Sequence, residues 1–170
     1  IKQASFSSNM GAINTIYQAD NHLTYIGTHG MGLWKYNSKN SQLDKFRTDN
    51  CSLLSNNIFS ILPSNQPDKL IISTDNELVC FNTKENTFQS WTEEQGLPTN
   101  HFNTSAGLKT SKGTLAFGSD NGLIIIPDSI ELPRKFPSKL VLSNFHIQYK
   151  RMKPDMEDSP LEHPIDETES

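Results

Sequence analysis

The sequence predicts an all-β fold made of repeated four-stranded antiparallel units, on three observations. Asn, Ser and Thr are abundant and Ala is scarce, which favours short strands joined by polar turns. Apolar anchors recur at a fixed spacing, since Leu33, Leu78 and Leu123 lie 45 residues apart and so do Tyr36 and Phe81. Turn-forming residues separate the apolar stretches of each repeat. Tandem units of this length are typical of propeller blades, so we predict a fragment of a β-propeller.

The first unit shows its four strands in order. Its apolar stretches predict strands at Ala12–Gln18, Leu23–Gly27, Gly32–Tyr36 and Gln42–Arg47. Residues that tolerate a positive φ or form side-chain turns lie between them, at 19–21, 29–32 and 37–40. We therefore expect each unit to be a four-stranded meander.

Two further units follow the first. Stretches 70–82 and 114–126 repeat the pattern of residues 23–37. We assign the units to residues 10–54, 55–99 and 100–126, the third being incomplete. A blade buries both faces of its sheet only between neighbours, and a ring takes about four to eight blades. We therefore expect the chain to be an excised part of a longer protein, which agrees with its start at Ile1 without an initiator Met.

The periodic pattern stops after Ile126. Residues 127–138 form a connector with three prolines, which cannot donate to a strand ladder. Residues 139–149 mostly alternate apolar and polar side chains, which predicts the first strand of another β domain. Residues 154–170 carry seven acidic residues and no Lys or Arg, so we expect this tail to be disordered.

Charge and cysteine usage argue against several classes of function. The net charge of −4 and the lack of a basic stripe argue against nucleic-acid binding. The longest apolar run, Leu123–Ile126, is far shorter than the roughly 18 residues of a membrane span, so we expect this piece to be soluble. Cys51 and Cys80 lack metal-ligand spacing, so we expect no metal site. We interpret them as small buried apolar residues, with a single disulfide as the alternative.

Short motifs occur in a fixed order along the repeats. They are Gly32–Asn37, Phe46, Leu54–Ile58 and Gly96–Phe102. These motifs resemble the two-component regulator propeller repeat, which has a Gly-Leu-x-x-Tyr-Asn stretch, an aromatic residue and a Gly-Leu-Pro/Ser-x-Asn loop. Ile26–Thr28 matches the Gly-Thr turn that ends the same repeat. Two positions depart from the pattern, because Glu77 stands in place of the usual Gly and Tyr25 in place of the usual Trp.

A second resemblance marks the end of the repeats. The segment Phe117–Leu123, with Pro127 and the predicted strand near 140–149, resembles the exit from a last blade into an immunoglobulin-like domain with conserved tyrosines. The resemblance implies that residues 139–153 are the start of that domain. Together the resemblances imply the periplasmic sensor region of a membrane-bound hybrid histidine kinase of the Bacteroidetes type. Such a parent protein would form a homodimer and bind glycan fragments through its propellers. The kinase domains would lie outside this chain, so the resemblance assigns it no catalytic residue and no cofactor.

Candidate ligand contacts fall on one rim of the predicted propeller. In a meander blade, the turn after the second strand and the loop between units reach the same rim. That rim would carry His29, Asp75, Asp120, Asn56, Asn100 and His101. Several fixed donors and acceptors suit the hydroxyl groups of an oligosaccharide. The alternative is that the Asp-Asn pairs at 75–76 and 120–121 serve only as turn residues.

Aromatic and acidic residues offer two further hypotheses. Trp34 and Trp91 could stack on a sugar ring, but their repeat-equivalent strand positions favour packing in the core or between blades. Glu93 and Glu94 could form a hydrolase pair, but adjacent carboxylates on a loop do not face each other across a cleft. We therefore expect no enzymatic activity. Two functions remain, an extracytoplasmic sensor of oligosaccharide and a protein-interaction scaffold without a small ligand.

Overall fold

A computed structural model describes residues 9–127 and two short strands at His146–Ile147 and Lys150–Arg151. The chain divides into two compact units, residues 1–133 and 134–170. The division falls within the proline-rich connector. Most of that connector, the rest of the predicted second domain and the acidic tail lie outside the described residues.

Eleven strands form three consecutive antiparallel meanders within residues 9–127. The first contains β1 (Ile13–Gln18), β2 (Leu23–Thr28), β3 (Leu33–Asn37) and β4 (Gln42–Phe46). The second contains β5 (Ile58–Pro63), β6 (Lys69–Thr74), β7 (Leu78–Asn82) and β8 (Thr87–Trp91). The third contains β9 (Phe102–Lys109), β10 (Leu115–Ser119) and β11 (Gly122–Ile126). A 3-10 turn at Glu93–Gln95 precedes β9, and residues 9–127 hold no α-helix, so the predicted all-β fold is confirmed.

Strand pairing repeats along with the sequence. Leu33 lies opposite Phe46, and Leu78 lies opposite Trp91 at the equivalent place in the second meander. The first strands β1 and β5 also carry a register shift at equivalent positions. The periodic anchors therefore occupy equivalent places in equivalent sheets, as the spacing predicts.

The first strands of the three meanders converge. Asn14 Nδ2 donates a 3.0 Å hydrogen bond to the Ile58 carbonyl, and Ser105 Oγ donates a 2.7 Å bond to the Asn14 carbonyl. These bonds link β1 to the beginning of β5 and to β9. Inner strands side by side, with whole sheets packed face to face, are the arrangement of neighbouring propeller blades.

An aromatic core fills the space between the first and second meanders. Phe81 is fully buried, and its ring centroid lies 4.4 Å from that of Phe88, 5.4 Å from Phe46 and 5.9 Å from Tyr25. Leu33 from β3 is buried in the same cluster. Tyr25, Leu33 and Phe46 come from the first meander and the other two from the second, so this cluster joins the two blades.

A second core lies between the second and third meanders. Ile71 and Cys80 from the second meander are buried with Phe102 and Phe117 from the third. Ile72, next to Ile71 in β6, belongs instead to the first core. Because successive strand residues point to opposite faces, β6 is buried on both sides and is apolar throughout its centre.

The two cysteines belong to different cores, and both thiols are free. Cys80 is buried in the second core, whereas Cys51 is half-buried at the edge of the first and directs its Sγ at the Arg47 carbonyl, 3.0 Å away. The structure therefore contains no Cys51–Cys80 disulfide. Both side chains act as small apolar residues.

Apolar side chains remain exposed on the sheets at the two ends of the stack. Ile16 on β1 and Leu108, Leu123 and Ile125 on the third meander are 60–63% exposed. Exposed apolar residues on the outer faces of stacked repeats are what further blades would cover. They agree with the expectation that this chain is part of a longer array.

The second described segment is a short antiparallel pair of strands, β12 (His146–Ile147) and β13 (Lys150–Arg151). Ile147 lies opposite Lys150, and His146 lies opposite Arg151. Of the strand predicted over 139–149, the structure describes only His146–Ile147. The other residues of that prediction lie outside the described residues.

Candidate functional site

Each blade has the same hydroxyl-capped turn between its second and third strands. Thr28 Oγ1 donates a 2.7 Å hydrogen bond to the Gly32 carbonyl, and Thr74 Oγ1 donates a 3.2 Å bond to the Glu77 carbonyl. Ser119 Oγ makes the equivalent 2.8 Å bond to the Gly122 carbonyl. These turns, with the loops that precede β5 and β9, form what we call the upper rim. The turns β1–β2, β5–β6 and β7–β8 lie at the opposite ends of the strands and form the lower rim.

The predicted ligand residues all lie in loops of the upper rim. The Asp120 N–H donates a 3.1 Å bond to the His101 carbonyl, which joins the β10–β11 turn to the loop before β9. The Gly32 N–H donates a 2.9 Å bond to the Asn56 carbonyl, which joins the His29 turn to the loop before β5. The structure thus brings turns and inter-blade loops together pairwise. It gives no ligand contact, so the binding role of these residues stays a prediction.

Two of the predicted amides hold the loops in shape. Asn56 Oδ1 accepts a 3.0 Å bond from the Thr48 N–H, and Asn56 Nδ2 donates a 3.1 Å bond to Thr48 Oγ1. Asn100 Oδ1 accepts a 3.1 Å bond from the Glu93 N–H, while Glu93 Oε1 accepts a 3.0 Å bond from the Asn100 N–H.

The amides of Asn56 and Asn100 therefore already have hydrogen-bond partners. Among the predicted ligand residues, His29, His101 and Asp120 are exposed and accessible. The fixed Glu93 carboxylate serves the same loop.

Both tryptophans take part in packing. Trp34 is 2% exposed, its Nε1 donates a 3.0 Å bond to the Met31 carbonyl, and Lys45 Nζ lies 4.5 Å from its ring centroid. Trp91 packs against the second core, and its Nε1 donates a 3.1 Å bond to the Gln95 carbonyl. Both positions agree with the expectation that the two tryptophan rings pack in the core or between blades.

A polar cleft opens at the lower rim between the first two blades. Its volume is about 370 Å³, within the roughly 300–1,000 Å³ of small-ligand sites. Its lining residues come from both blades: Tyr17, Ala19, Asp20, Leu23, Tyr25, Pro63, Ser64, Gln66, Asp68, Lys69, Leu70 and Thr83. No sequence pattern predicts this cleft, because its walls combine turns about 45 residues apart that carry no shared motif.

Charged and polar groups are fixed around the cleft. Asp20 Oδ1 accepts bonds of 2.7 and 2.8 Å from the N–H groups of His22 and Leu23, and these bonds lower the pKa of the Asp20 carboxyl. Lys69 Nζ donates a 2.6 Å bond to Gln66 Oε1. The cleft therefore presents a carboxylate, an ammonium group and an amide on ordered turns.

The two tyrosines of the cleft differ in depth. Tyr17 is half-buried, and burial raises the pKa of its hydroxyl. Tyr25 is fully buried, and its Oη has no hydrogen-bond partner among the described residues. The nearby Thr83 hydroxyl donates a 3.1 Å bond to the Asp68 carbonyl. Burial raises the pKa of Tyr25 to about 12, although Thr83 acts in the opposite direction.

The raised pKa of Tyr25 predicts a loss of stability at alkaline pH. The unfolded chain loses this proton near pH 10.0 and the folded chain near pH 12. The contribution to the free energy of unfolding is therefore fully present below pH 10.0 and is lost as the pH rises towards 12. We expect a slope of about 1.4 kcal/mol per pH unit from this residue. Urea unfolding of the wild type and of Tyr25→Phe across that window measures it, and equal slopes would contradict the assignment.

Neither a metal cluster nor a membrane helix occurs in the part of the chain that the structure describes. No group of three or more His, Cys, Asp or Glu side chains there is placed to hold a metal ion. No helix among the same residues is long and apolar enough to cross a bilayer.

Solved structures of bacterial extracellular domains share this fold. The extracellular domain of BT3049 from Bacteroides thetaiotaomicron, described as a hybrid two-component system, matches with a TM-score of 0.59 and 21% identity over 75% of this chain. Two structures of the extracellular domain of BT4673 from the same organism match with TM-scores of 0.54 and 0.52 and identities of 24% and 20%. They cover 74% and 89% of this chain; one is described as a one-component and the other as a hybrid two-component system.

This chain spans only 17–19% of the length of those structures. No protein-family model and no curated protein matches it. At these identities the likeness shows a shared fold, which agrees with the architecture of the three meanders.

Proposed function

We propose that this chain is part of the extracytoplasmic ligand-sensing region of a two-component signalling protein. The observation that supports it most is the fold shared with bacterial extracellular domains of such systems. Glu93 and Glu94 are adjacent residues of the exposed 3-10 turn before β9, so they do not face each other across a cleft. We therefore propose a binding role without catalysis, in a periplasmic region of a membrane-anchored parent protein that acts as a homodimer.

We further propose that the ligand is an oligosaccharide and that it enters the cleft at the lower rim. Sugar hydroxyls need several fixed donors and acceptors, which Asp20, Gln66 and Lys69 supply. The half-buried ring of Tyr17 adds an apolar surface with a polar tip for a pyranose face. A volume of about 370 Å³ suits a short saccharide better than a single ion.

Titration calorimetry against a panel of polysaccharide fragments tests this proposal. The longest soluble form of the protein that contains this chain is the sample. Tyr17→Phe and Lys69→Ala should each weaken binding about 3–10-fold, because each removes one hydrogen-bonding group from the cleft. Lys84→Ala, an exposed change in the β7–β8 turn that does not line the cleft, is the matched control and should bind as the wild type does. Binding to no fragment would argue against a saccharide ligand.

The same titrations compare the two rims. His29→Ala, His101→Ala and Asp120→Asn change the accessible residues of the upper rim. If they weaken binding and the lower-rim variants do not, the ligand site is the upper rim that the turn pattern predicts. The opposite result assigns the site to the cleft.

The exposed apolar flanks support a second candidate function, a protein-interaction scaffold. Leu108, Leu123 and Ile125 could meet a partner protein in place of a further blade. A scaffold should keep the same mass and the same hydrodynamic radius with and without glycans, whereas a homodimeric sensor whose subunits rearrange should keep its mass and change its radius. Light scattering of the parent protein with each glycan separates the two functions.

A further inference from the structure

The third meander has one strand fewer than the other two in the part of the chain that the structure describes. The first two sheets end with an outer strand, β4 or β8, whereas the outermost described strand of the third sheet is β11. β11 pairs with β10 on one side, and its other edge has no ladder partner among the described residues. An open edge of this kind can accept one further strand through backbone hydrogen bonds.

The first two blades show which side chain an outer strand covers. Leu33 in β3 lies opposite Phe46 in β4 and is 0% exposed. Leu78 in β7 lies opposite Trp91 in β8 and is 1% exposed. Leu123 holds the equivalent position in β11 and is 63% exposed. The next blade buries part of each leucine, and the aromatic residue of the outer strand lies directly beside it.

The two outer strands carry the same pattern of side chains. β4 contains Leu43, two charged residues and Phe46, in that order. β8 contains Phe88, two polar residues and Trp91. Each strand therefore presents an apolar residue, two polar residues and an aromatic residue along the direction of the chain. A strand that completes the third blade in the same way needs this pattern.

The segment directly after β11 does not carry this pattern. At the spacing of the second blade, residues 132–136 align with β8 (Thr87–Trp91). Pro133 then falls at the apolar position that Phe88 holds in β8. Proline has no N–H to donate to a ladder and is disfavoured inside a paired strand. A strand from elsewhere in the protein fits the edge better.

We propose that the open edge of β11 binds an extended strand with the pattern apolar, polar, polar, aromatic, which another part of the parent protein supplies from outside residues 1–170. This source rests on the proposed function, in which the chain is part of a longer protein. The strand runs antiparallel to β11, with its apolar residue opposite Ile126 and its aromatic residue opposite Leu123, as the registers of the first two blades require. Backbone bonds supply affinity, and the contact with Leu123 supplies selectivity.

The same contact distinguishes β11 from the outer edges of β4 and β8. Those sheets already hold four strands, and their leucines Leu33 and Leu78 are buried. A further strand at β4 or β8 would gain backbone bonds without covering such a leucine. The strand should therefore select β11.

A labelled peptide tests the edge directly. Residues 85–93 of this chain contain β8 and serve as the probe. Fluorescence anisotropy should show saturable binding of the probe to the 170-residue chain. Hydrogen exchange should slow at Gly122–Ile126 in the complex and stay unchanged at β4 and β8. A probe with Trp91→Ala should bind about 10-fold more weakly, because a central aromatic residue supplies much of the affinity of an interface.

Two variants of the chain show whether Leu123 is the contact. Leu123→Ala should weaken probe binding about 10-fold, because it removes the side chain that the aromatic residue covers. Ile16→Ala is the matched control, since Ile16 is also 63% exposed but lies on β1 of the first blade. It should bind the probe as the wild type does. The docking edge is overturned if the wild type shows no saturable binding, or if Leu123→Ala binds the probe as tightly as Ile16→Ala.

A longer form of the protein tests the source of the strand. When the parent protein supplies its own strand, the amides of β11 should be protected from exchange without the probe, and the probe should not bind. If the longer form binds the probe as tightly as this chain does, the proposed source is wrong. Glycan titrations do not involve the probe. A failure at this edge therefore leaves the sensing function standing, and a failure to bind glycans leaves the edge standing.

Discussion

Replacing Phe81 by alanine should lower the free energy of unfolding by about 3–5 kcal/mol. This is a large part of the total, since the free energy of unfolding of a whole domain is about 5–15 kcal/mol. Phe81 is fully buried, and its ring contacts Tyr25 and Phe46 of the first blade and Phe88 of the second. Truncation removes these contacts and leaves a cavity between two rigid sheets that cannot close over it. Urea unfolding followed by tryptophan fluorescence measures the loss.

Two companion variants show whether the loss comes from this inter-blade cluster. Phe81→Leu keeps most of the apolar volume and should cost less than half as much as Phe81→Ala. Leu123→Ala removes a side chain that is 63% exposed and should change stability by no more than about 0.5 kcal/mol. If Phe81→Ala costs less than about 1 kcal/mol, the two blades are not held together by this cluster.

The fold was predictable from the sequence because the same physical requirement recurs in each unit. Leu33 and Leu78 occupy equivalent buried positions, so their spacing reports the sheet pairing directly. The turns were predictable for the same reason, since Thr28 and Thr74 cap equivalent turns. The sequence pattern repeats because every blade needs two buried faces and the same set of turns.

The candidate sites were less predictable because they depend on what differs between blades. Asn56 sits on a rim and carries a polar amide, yet that amide is occupied by Thr48, eight residues before it. Tyr17 and Lys69 line one cleft although nothing in their local sequence pairs them. Glu77 stands in place of the usual Gly of its turn, and only the structure shows that its side chain is buried and accepts a bond from the Leu54 N–H.

Replacing Gly32 by alanine should destabilise the first blade more than any other Gly→Ala substitution in the same turn. Gly32 has a φ of +76°, and a Cβ there would lie 2.2 Å from the Phe46 carbonyl oxygen and 2.9 Å from Arg47 Cγ. The backbone conformation alone costs about 1–2 kcal/mol for a residue with a Cβ. The overlap with the backbone of β4 adds about 1–3 kcal/mol, since that oxygen belongs to a paired strand.

Gly30→Ala separates the two contributions, because Gly30 lies in the same turn with a φ of +78° and no atom within 4 Å of an added Cβ. It should carry the conformational cost alone, about 1–2 kcal/mol. The difference between the two variants, measured by urea unfolding, is then the cost of the close approach between the turn and β4. Equal losses would mean that Phe46 moves aside freely, which is hard to reconcile with its place between Phe81 and Phe88 in the inter-blade cluster.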